Sequence, residues 1–342
     1  MVCALLGEAK RLNKTVNIRK LALVGLMVGK SVFLKMLVPV DDSVACLAAQ
    51  EMAASIAKSF KSSVTVFHAV SHQLLVPVFQ NMVSEVGVQE FAPSQIARGE
   101  YSMPRLLAPP GGTSGMSEKM AGELNDWYHQ KGEEIVEEAL RLFKEQGVVS
   151  ERKIVSHADV ADSILREARS GEYSLVVMGR SGEKSEGMRL GGTAEKVVRH
   201  SKVPVLVTSE SRKISRVLVP VDGSKDSDRA LKQAVLLAGK VGAKITLLHV
   251  QESGLFRVKP ELAMQVGKHV LAEAMKKAKG VEADQKLESG DVGKKIGEVA
   301  EKEGYDMIVM GGKGHGGIRR FLLGSASNHV LHYTDHAVLI VK

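Results

Sequence analysis

The feature that most constrains the fold is an internal duplication. Residues 35–43 read KMLVPVDDS, and residues 216–224 read RVLVPVDGS. The correspondence continues without a gap to VFHA (66–69) and LLHV (247–250), at a constant offset of 181 residues. Self-similarity of this kind indicates that one structural unit occurs twice in the chain.

Two later blocks match at a smaller offset. SLVVMGRSG (174–182) corresponds to DMIVMGGKG (306–314) at an offset of 132, and VPVLV (203–207) to HAVLI (336–340) at 133. The first copy therefore carries 49 additional residues, within about 71–120, a stretch rich in Pro, Gly and Ser. We predict two domains, 34–209 and 213–342, after a basic and apolar extension at 1–33; a chain of 342 residues is long enough for both.

Each copy alternates short apolar runs with helical segments. In the second copy the predicted strands fall at 217–221, 244–250, 307–310 and 337–341, with a weak third strand at 283–288. Continuous apolar runs separated by helices predict an α/β fold, with a doubly wound parallel sheet duplicated in tandem. A single ten-stranded α/β domain is the alternative, against which the duplication and the polar linker near 210–213 argue. Because an apolar last strand would leave an exposed edge, 203–207 and 336–340 are predicted to lie near each other.

Composition narrows the functional classes. The chain is 44% hydrophobic and 25% charged, as soluble globular proteins are. Two cysteines without a CxxC pair favour a reducing compartment and argue against structural zinc. The net charge of +8 forms no clustered basic stripe and aromatics are only 4%, so nucleic acid is not an expected partner. The apolar run at 21–29 is too short to span a bilayer, so we expect a soluble, cytoplasmic protein.

Two loops of the second copy are suited to ligand binding. In open α/β sheets ligands bind beyond the carboxyl ends of the strands. One loop is Pro220-Val221-Asp222-Gly-Ser; the other runs from Gly311 to Ser325 with the spacing G-x2-G-x9-G-S. Glycines let the backbone approach a phosphate, and the helix that follows offers free N–H groups. A flexible loop with a serine helix cap is the alternative, but basic residues within the loop favour phosphate. These are Lys313, Arg319 and Arg320.

These motifs resemble the universal stress protein family, and 34–342 resembles two such domains in tandem. The resemblance implies a Rossmann-like five-stranded parallel sheet in the order 3-2-1-4-5, ATP at the switch point between strands one and four, and pairing of domains through their fifth strands. It also implies that Asp222 contacts the adenosine portion and that main chain at Val250 lies near the adenine. Met310 closes the fourth strand, as core or as a wall against the base. The positions that match ribose and phosphate contacts are Gly311, Gly314, Gly324, Ser325 and Ala326.

The first copy departs from the motif. Asp41 stands opposite Asp222, and Gly179 and Gly182 begin the loop, which is completed in one of two ways. Either Gly192 and Thr193 complete an intact motif, or Gly191 aligns with Gly324 and the loop is one residue short, which the offset of 133 favours. The first copy also carries additional carboxylates, which would repel a triphosphate, so we expect it to bind ATP more weakly or not at all. These carboxylates belong to Asp42, Glu183 and Glu186.

The sequence therefore predicts an ATP- or AMP-binding regulatory protein of stress responses. It would act through nucleotide-dependent conformation or partner binding, with Mg²⁺ screening the phosphates, as an intrachain pseudo-dimer with further homodimerisation open. The alternatives are a slow ATP hydrolase or phosphotransferase, and an interaction module without nucleotide. No general base is placed beside a γ-phosphate, which disfavours the enzyme. Histidines are expected to be packed and hydrogen-bonded rather than metal ligands: His68, His249, His329, His332 and His336.

Overall fold

A computed structural model of the chain describes residues 33–70, 118–156, 159–171, 173–180, 190–252, 259–313 and 323–342. The predicted extension at 1–33 therefore lies outside the described residues except for Phe33, which is buried. The predicted insertion at 71–120 also lies outside them, apart from the first residues of one helix. None of the helices in these ranges is both long and apolar enough to cross a membrane.

Strands and helices alternate through both copies. The first half contains β1 (Lys35–Pro39), α1 (Val44–Phe60), β2 (Ser63–Val70), α2 (Glu118–Glu145), β3 (Ser150–Ser156), α3 (Val160–Ser170), β4 (Leu175–Gly179), α4 (Gly192–His200) and β5 (Val205–Thr208). The second half contains β6 (Arg216–Pro220), α5 (Lys225–Val241), β7 (Lys244–Glu252), α6 (Pro260–Lys277), β8 (Ala283–Gly290), α7 (Val292–Glu303), β9 (Met307–Gly311), α8 (Ser325–Tyr333) and β10 (Ala337–Val341).

The ten strands form one sheet in the order β3-β2-β1-β4-β5-β10-β9-β6-β7-β8. Within each half the order is 3-2-1-4-5 and neighbouring strands are parallel, which confirms the predicted doubly wound class. The halves join where β5 and β10 pair antiparallel, with Leu206 opposite Leu339. This pairing confirms the predicted contact of the fifth strands, and it makes the sheet continuous across both copies.

Helices cover both faces of the sheet, so its inner strands are apolar, whereas the edge strands β3 and β8 carry polar and charged residues. Buried residues of α1, α2, α5 and α6 pack in one cluster, and those of α3, α4, α7 and α8 pack in another. Alternate residues along a strand serve opposite faces, as Leu339 and Ile340 of β10 do. The arrangement leaves the carboxyl ends of the strands and their loops as the place for a ligand.

Side chains from each half also reach the other across this junction. Arg180, which follows β4 and is fully buried, donates to the carbonyl of Leu331 in the last turn of α8 and to that of His336 just before β10, the second at 3.0 Å. Lys342, which follows β10, donates to the carbonyl of Val198 near the end of α4. Val198 and Leu331 are equivalent positions in the two copies. The carbonyls that a helix end leaves unpaired are thus satisfied from the opposite half.

Candidate functional site

The loop after β6 is a compact turn built around Asp222. The Val221 N–H donates to the Leu248 carbonyl at 2.8 Å, and the Ser224 N–H donates to Oδ1 of Asp222 at 2.9 Å. Gly223 has a φ of +81°, a conformation that favours glycine. Ser224 then caps α5 by accepting the Ser227 N–H. The turn fixes the half-buried Asp222 at the carboxyl end of β6.

Close packing explains the first glycine of the second loop. A Cβ on Gly311 would lie 2.8 Å from the carbonyl carbon of Asp226 at the start of α5. In the first copy a Cβ on Gly179 would lie 2.8 Å from the carbonyl carbon of Ala45. Glycine at this position is therefore required by contact with the helix in both copies, so it is not by itself a sign of phosphate. Gly314, Arg319 and Arg320 lie outside the described residues.

The helix after this loop begins at a glycine. Gly324, rather than Ser325, is the N-cap of α8, and as a glycine it offers no side-chain cap. The Gly324 N–H donates to the Gly312 carbonyl at 2.8 Å, and Oγ of Ser327 donates to the Gly311 carbonyl at 2.8 Å. Ser325 is exposed, Ala326 is half-buried, and the first turn contains no acidic residue. These features suit an anion at this helix N-terminus.

Two apolar residues lie near the ends of β7 and β9, the strands on either side of β6. Val250 and Met310 are both buried in the same cluster, 8% and 5% exposed, so Met310 is a core residue. The Leu248 carbonyl accepts the Val221 N–H, so it points toward β6. Backbone groups two residues apart on a strand point to the same side, so the N–H and C=O of Val250 also point that way, just beyond the end of β6.

One residue near this loop was not identified from the motifs. Lys342 passes the loop, with its Cδ 3.8 Å from the position of a Cβ on Gly312. Burial, and secondarily the charge of Lys313, lowers the pKa of Lys342 to about 8, against an opposing effect of Asp226. Lys342 is far from both loop motifs in sequence, so the motifs do not indicate it. The pairing of β9 with β10 places it beside the loop that follows β9.

The first copy repeats the turn but not the loop. Oδ1 of Asp41 accepts from the Ser43 N–H at 3.0 Å, as Asp222 does from Ser224. The Gly191 N–H donates to the Arg180 carbonyl at 2.8 Å, which makes these two residues equivalent to Gly324 and Gly312. The connecting loop is then ten residues long (181–190), against eleven (313–323) in the second copy.

This equivalence supports the shorter alignment. Gly192 is the first residue of α4 with Gly191 as its N-cap, and Thr193 is exposed. Glu195 lies in the first turn of α4, where α8 has no acidic residue. Gly182, Glu183 and Glu186 lie outside the described residues.

The histidines of α8 and of the segment that follows it make contacts within the fold. His329 stacks on Tyr333 at 4.4 Å between ring centroids, and His336 lies 3.2 Å from Oγ1 of Thr334. His332 approaches Oε1 of Glu195 at 4.0 Å. Within the described ranges no three His, Cys, Asp or Glu side chains are grouped to hold a metal ion.

The fold defines a class: a tandem, doubly wound α/β protein in which the strand order of each half reverses between its first and fourth strands. A model of the Universal stress protein family matches residues 107–209 and 213–342. The chain belongs to the universal stress protein family. The first match begins after β2, but the sheet order places β1 and β2 in the first half as well.

Relatives and solved structures agree with this assignment. A universal stress protein of Synechocystis sp. is 26% identical over 217 residues, which are 63% of this chain and 73% of that protein. A universal stress protein of Methanocaldococcus jannaschii is 33% identical over 138 residues, covering 37% of this chain and 81% of its own length. The crystal structure of a universal stress protein from Archaeoglobus fulgidus superposes with a TM-score of 0.61 at 22% identity, covering 90% of this chain and 98% of that one.

Proposed function

We propose that the second half binds ATP or AMP at the carboxyl ends of β6 and β9, and that the protein acts as a nucleotide-dependent regulator of stress responses in the cytoplasm. The observation that supports the proposal is the N-terminus of α8, whose N-cap is a glycine without a side-chain cap and whose first turn holds no acidic residue. The Asp222 turn follows the strand adjacent to β9, so one ligand can reach both.

The parts of a nucleotide correspond to the parts of this site. Asp222 would accept a hydrogen bond from the ribose, and the backbone of Val250 would meet the adenine edge. The phosphates would lie against Gly311, Gly324 and the first amides of α8, at Ser325 and Ala326, where aligned N–H groups favour an anion. Mg²⁺ would reduce the repulsion within the triphosphate.

The first half is proposed as the weaker site. Its shorter loop and the carboxylate of Glu195 in the first turn of α4 both disfavour a phosphate at this helix. Arg180, the cation nearest the start of this loop, donates to carbonyls of the opposite half instead.

Calorimetric titration of ATP into wild type, Gly324→Val and Gly191→Val tests the proposal. The two glycines are equivalent N-caps, so the variants are matched in their cost to the fold. Gly324→Val should weaken the tight site by roughly tenfold to a hundredfold, the loss of one charge-assisted hydrogen bond. Gly191→Val should leave the tight site unchanged. Two equivalent sites in wild type, or equal losses from both variants, would contradict the asymmetry.

The same preparation separates regulator from enzyme. Incubation with MgATP should leave the nucleotide bound and intact, because the function proposed is binding. Steady phosphate release that Gly324→Val abolishes would instead favour a slow hydrolase.

A further inference from the structure

One histidine occupies the same position in both halves, and its ring nitrogen bonds to the loop of the site. Nδ1 of His249 lies 2.7 Å from the carbonyl oxygen of Val221, and Nδ1 of His68 lies 2.8 Å from that of Val40. Both rings stand on the second strand of their half, next to the turn that carries Asp222 or Asp41. A carbonyl only accepts, so Nδ1 is the protonated nitrogen and donates.

This hydrogen bond replaces the next backbone hydrogen bond that would link β6 to β7. In a parallel ladder, a residue whose N–H bonds to one partner strand residue presents its C=O to the N–H two residues further along. The Val221 N–H bonds to the Leu248 carbonyl, so its own carbonyl would continue to the Val250 N–H. The Val221 carbonyl accepts a hydrogen bond from Nδ1 of His249 instead.

The covering helix is adapted to the ring in both halves. A Cβ on Gly267 of α6 would lie 3.0 Å from Cδ2 of His249, and a Cβ on Gly132 of α2 would lie 2.9 Å from Cδ2 of His68. Glycine inside a helix is unfavourable by about 1 kcal/mol relative to alanine. Its presence at both positions lets the helix pack against the imidazole and hold it in place.

We propose that His249 is a positioning residue of the nucleotide site, an inference that rests on the proposed function. By capturing the Val221 carbonyl, it leaves the N–H and C=O of Val250 available to the hydrogen-bonding edge of a purine base. It also fixes the peptide that leads directly into Asp222. The ring acts through the loop and does not itself contact the nucleotide.

The proposal separates base recognition from phosphate binding. Removing the donor would release the Val221 carbonyl toward Val250 and disorder the Asp222 turn, while α8 and its amides stay in place. Asparagine at this position would offer an N–H close to the place of Nδ1, whereas leucine would fill the space without a donor.

The test measures ATP, GTP and inorganic triphosphate binding by calorimetry in wild type, His249→Leu, His249→Asn and His68→Leu. His249→Leu should weaken ATP at least tenfold and reduce the preference for ATP over GTP, with triphosphate affinity unchanged. His249→Asn should restore most of both. His68→Leu removes the same contact from the weaker half and should leave the tight site unaltered. Unchanged ATP affinity in His249→Leu, or equal losses for ATP and triphosphate, would overturn the proposal.

A second measurement reads the loop without nucleotide. Amide hydrogen exchange at residues 221–224 should be faster in His249→Leu than in wild type, and slow again in His249→Asn. Equal exchange in all three proteins would overturn the role of the imidazole. If wild type bound no ATP, the proposed function and the assignment of His249 to a nucleotide site would both fail, while the exchange rates would still report on the hydrogen bond.

Discussion

At the scale of single residues, Gly311 and Gly179 show that one glycine can satisfy two requirements. Each ends a fourth strand against the start of a helix, where a Cβ would lie 2.8 Å from a backbone carbon. The same small residue would also let a phosphate approach. The packing requirement holds in both copies, whatever their affinity for a nucleotide.

We expect Gly311→Ala and Gly179→Ala each to lower the free energy of unfolding by about 1–3 kcal/mol, because a helix backbone must shift to admit the methyl group. Urea unfolding measures the change. Gly192→Ala is the control, since its Cβ meets no atom within 4 Å and surface changes of this kind stay within about 0.5 kcal/mol. Wild-type stability of Gly311→Ala would contradict this explanation of the glycine.

Lys342 should make stability depend on alkaline pH. Burial lowers its pKa from 10.5 to about 8. Between these values the unfolded chain holds the proton more than the folded one, so this residue's contribution to the free energy of unfolding rises with pH. The free energy of unfolding of wild type minus that of Lys342→Met should therefore rise between pH 7 and pH 10.5. A constant difference would show that Lys342 titrates normally.

At the scale of elements, α4 and α8 are the same helix in two environments. Both start after a glycine N-cap without a side-chain cap. α4 has an acidic residue in its first turn, where α8 has none, and the C-terminal end of α8 receives Arg180 where that of α4 receives Lys342.

Arg180→Met should destabilise the fold through α8. The change leaves the buried carbonyls of Leu331 and His336 without this donor, and unsatisfied buried acceptors cost about 1–3 kcal/mol. Urea unfolding checks the value. Arg199→Met is the matched control across the same junction, because Arg199 is partly exposed and its bond to Oδ1 of Asn328 at 3.0 Å is replaceable by water. Equal effects of both variants would contradict a special role for Arg180.

The sequence predicts elements better than the contacts between them. The strands predicted at 307–310 and 337–341 correspond to β9 and β10, and the offset of 133 agrees with the shorter first loop. The roles of Arg180 and Lys342 could not be predicted, because each has a different residue type at its equivalent position, Gly312 and Ser209. Their partners lie in the other half, and only the antiparallel pairing of β5 with β10 brings them within reach.

At the scale of the whole molecule, the junction of β5 with β10 determines whether the halves exist separately. All five residues of β10 are buried, and Val205, Leu206 and Val207 are buried opposite them. An apolar strand of this kind at a free edge would be a template for pairing with another chain.

A fragment of residues 213–342 should therefore form a dimer through β10, with Leu339 meeting its own counterpart. Leu206 and Leu339 already face each other in the full chain, so the same geometry is available to two copies. Light scattering on the purified fragment measures the mass. A monomeric fragment with a native circular dichroism spectrum would show that the edge is tolerated in water.

The cations that cross the junction have a consequence for how this protein can change. In an isologous dimer of identical chains, every substitution at the interface occurs in both chains, so the altered surface must remain complementary to a copy of itself. Here the equivalent carbonyls of Val198 and Leu331 are served by Lys342 and Arg180, which come from non-equivalent positions. Covalent linkage of the halves has removed the requirement for self-complementarity. Each side of the junction can therefore vary alone, and the ligand site proposed for one half can be altered while that of the other half is kept.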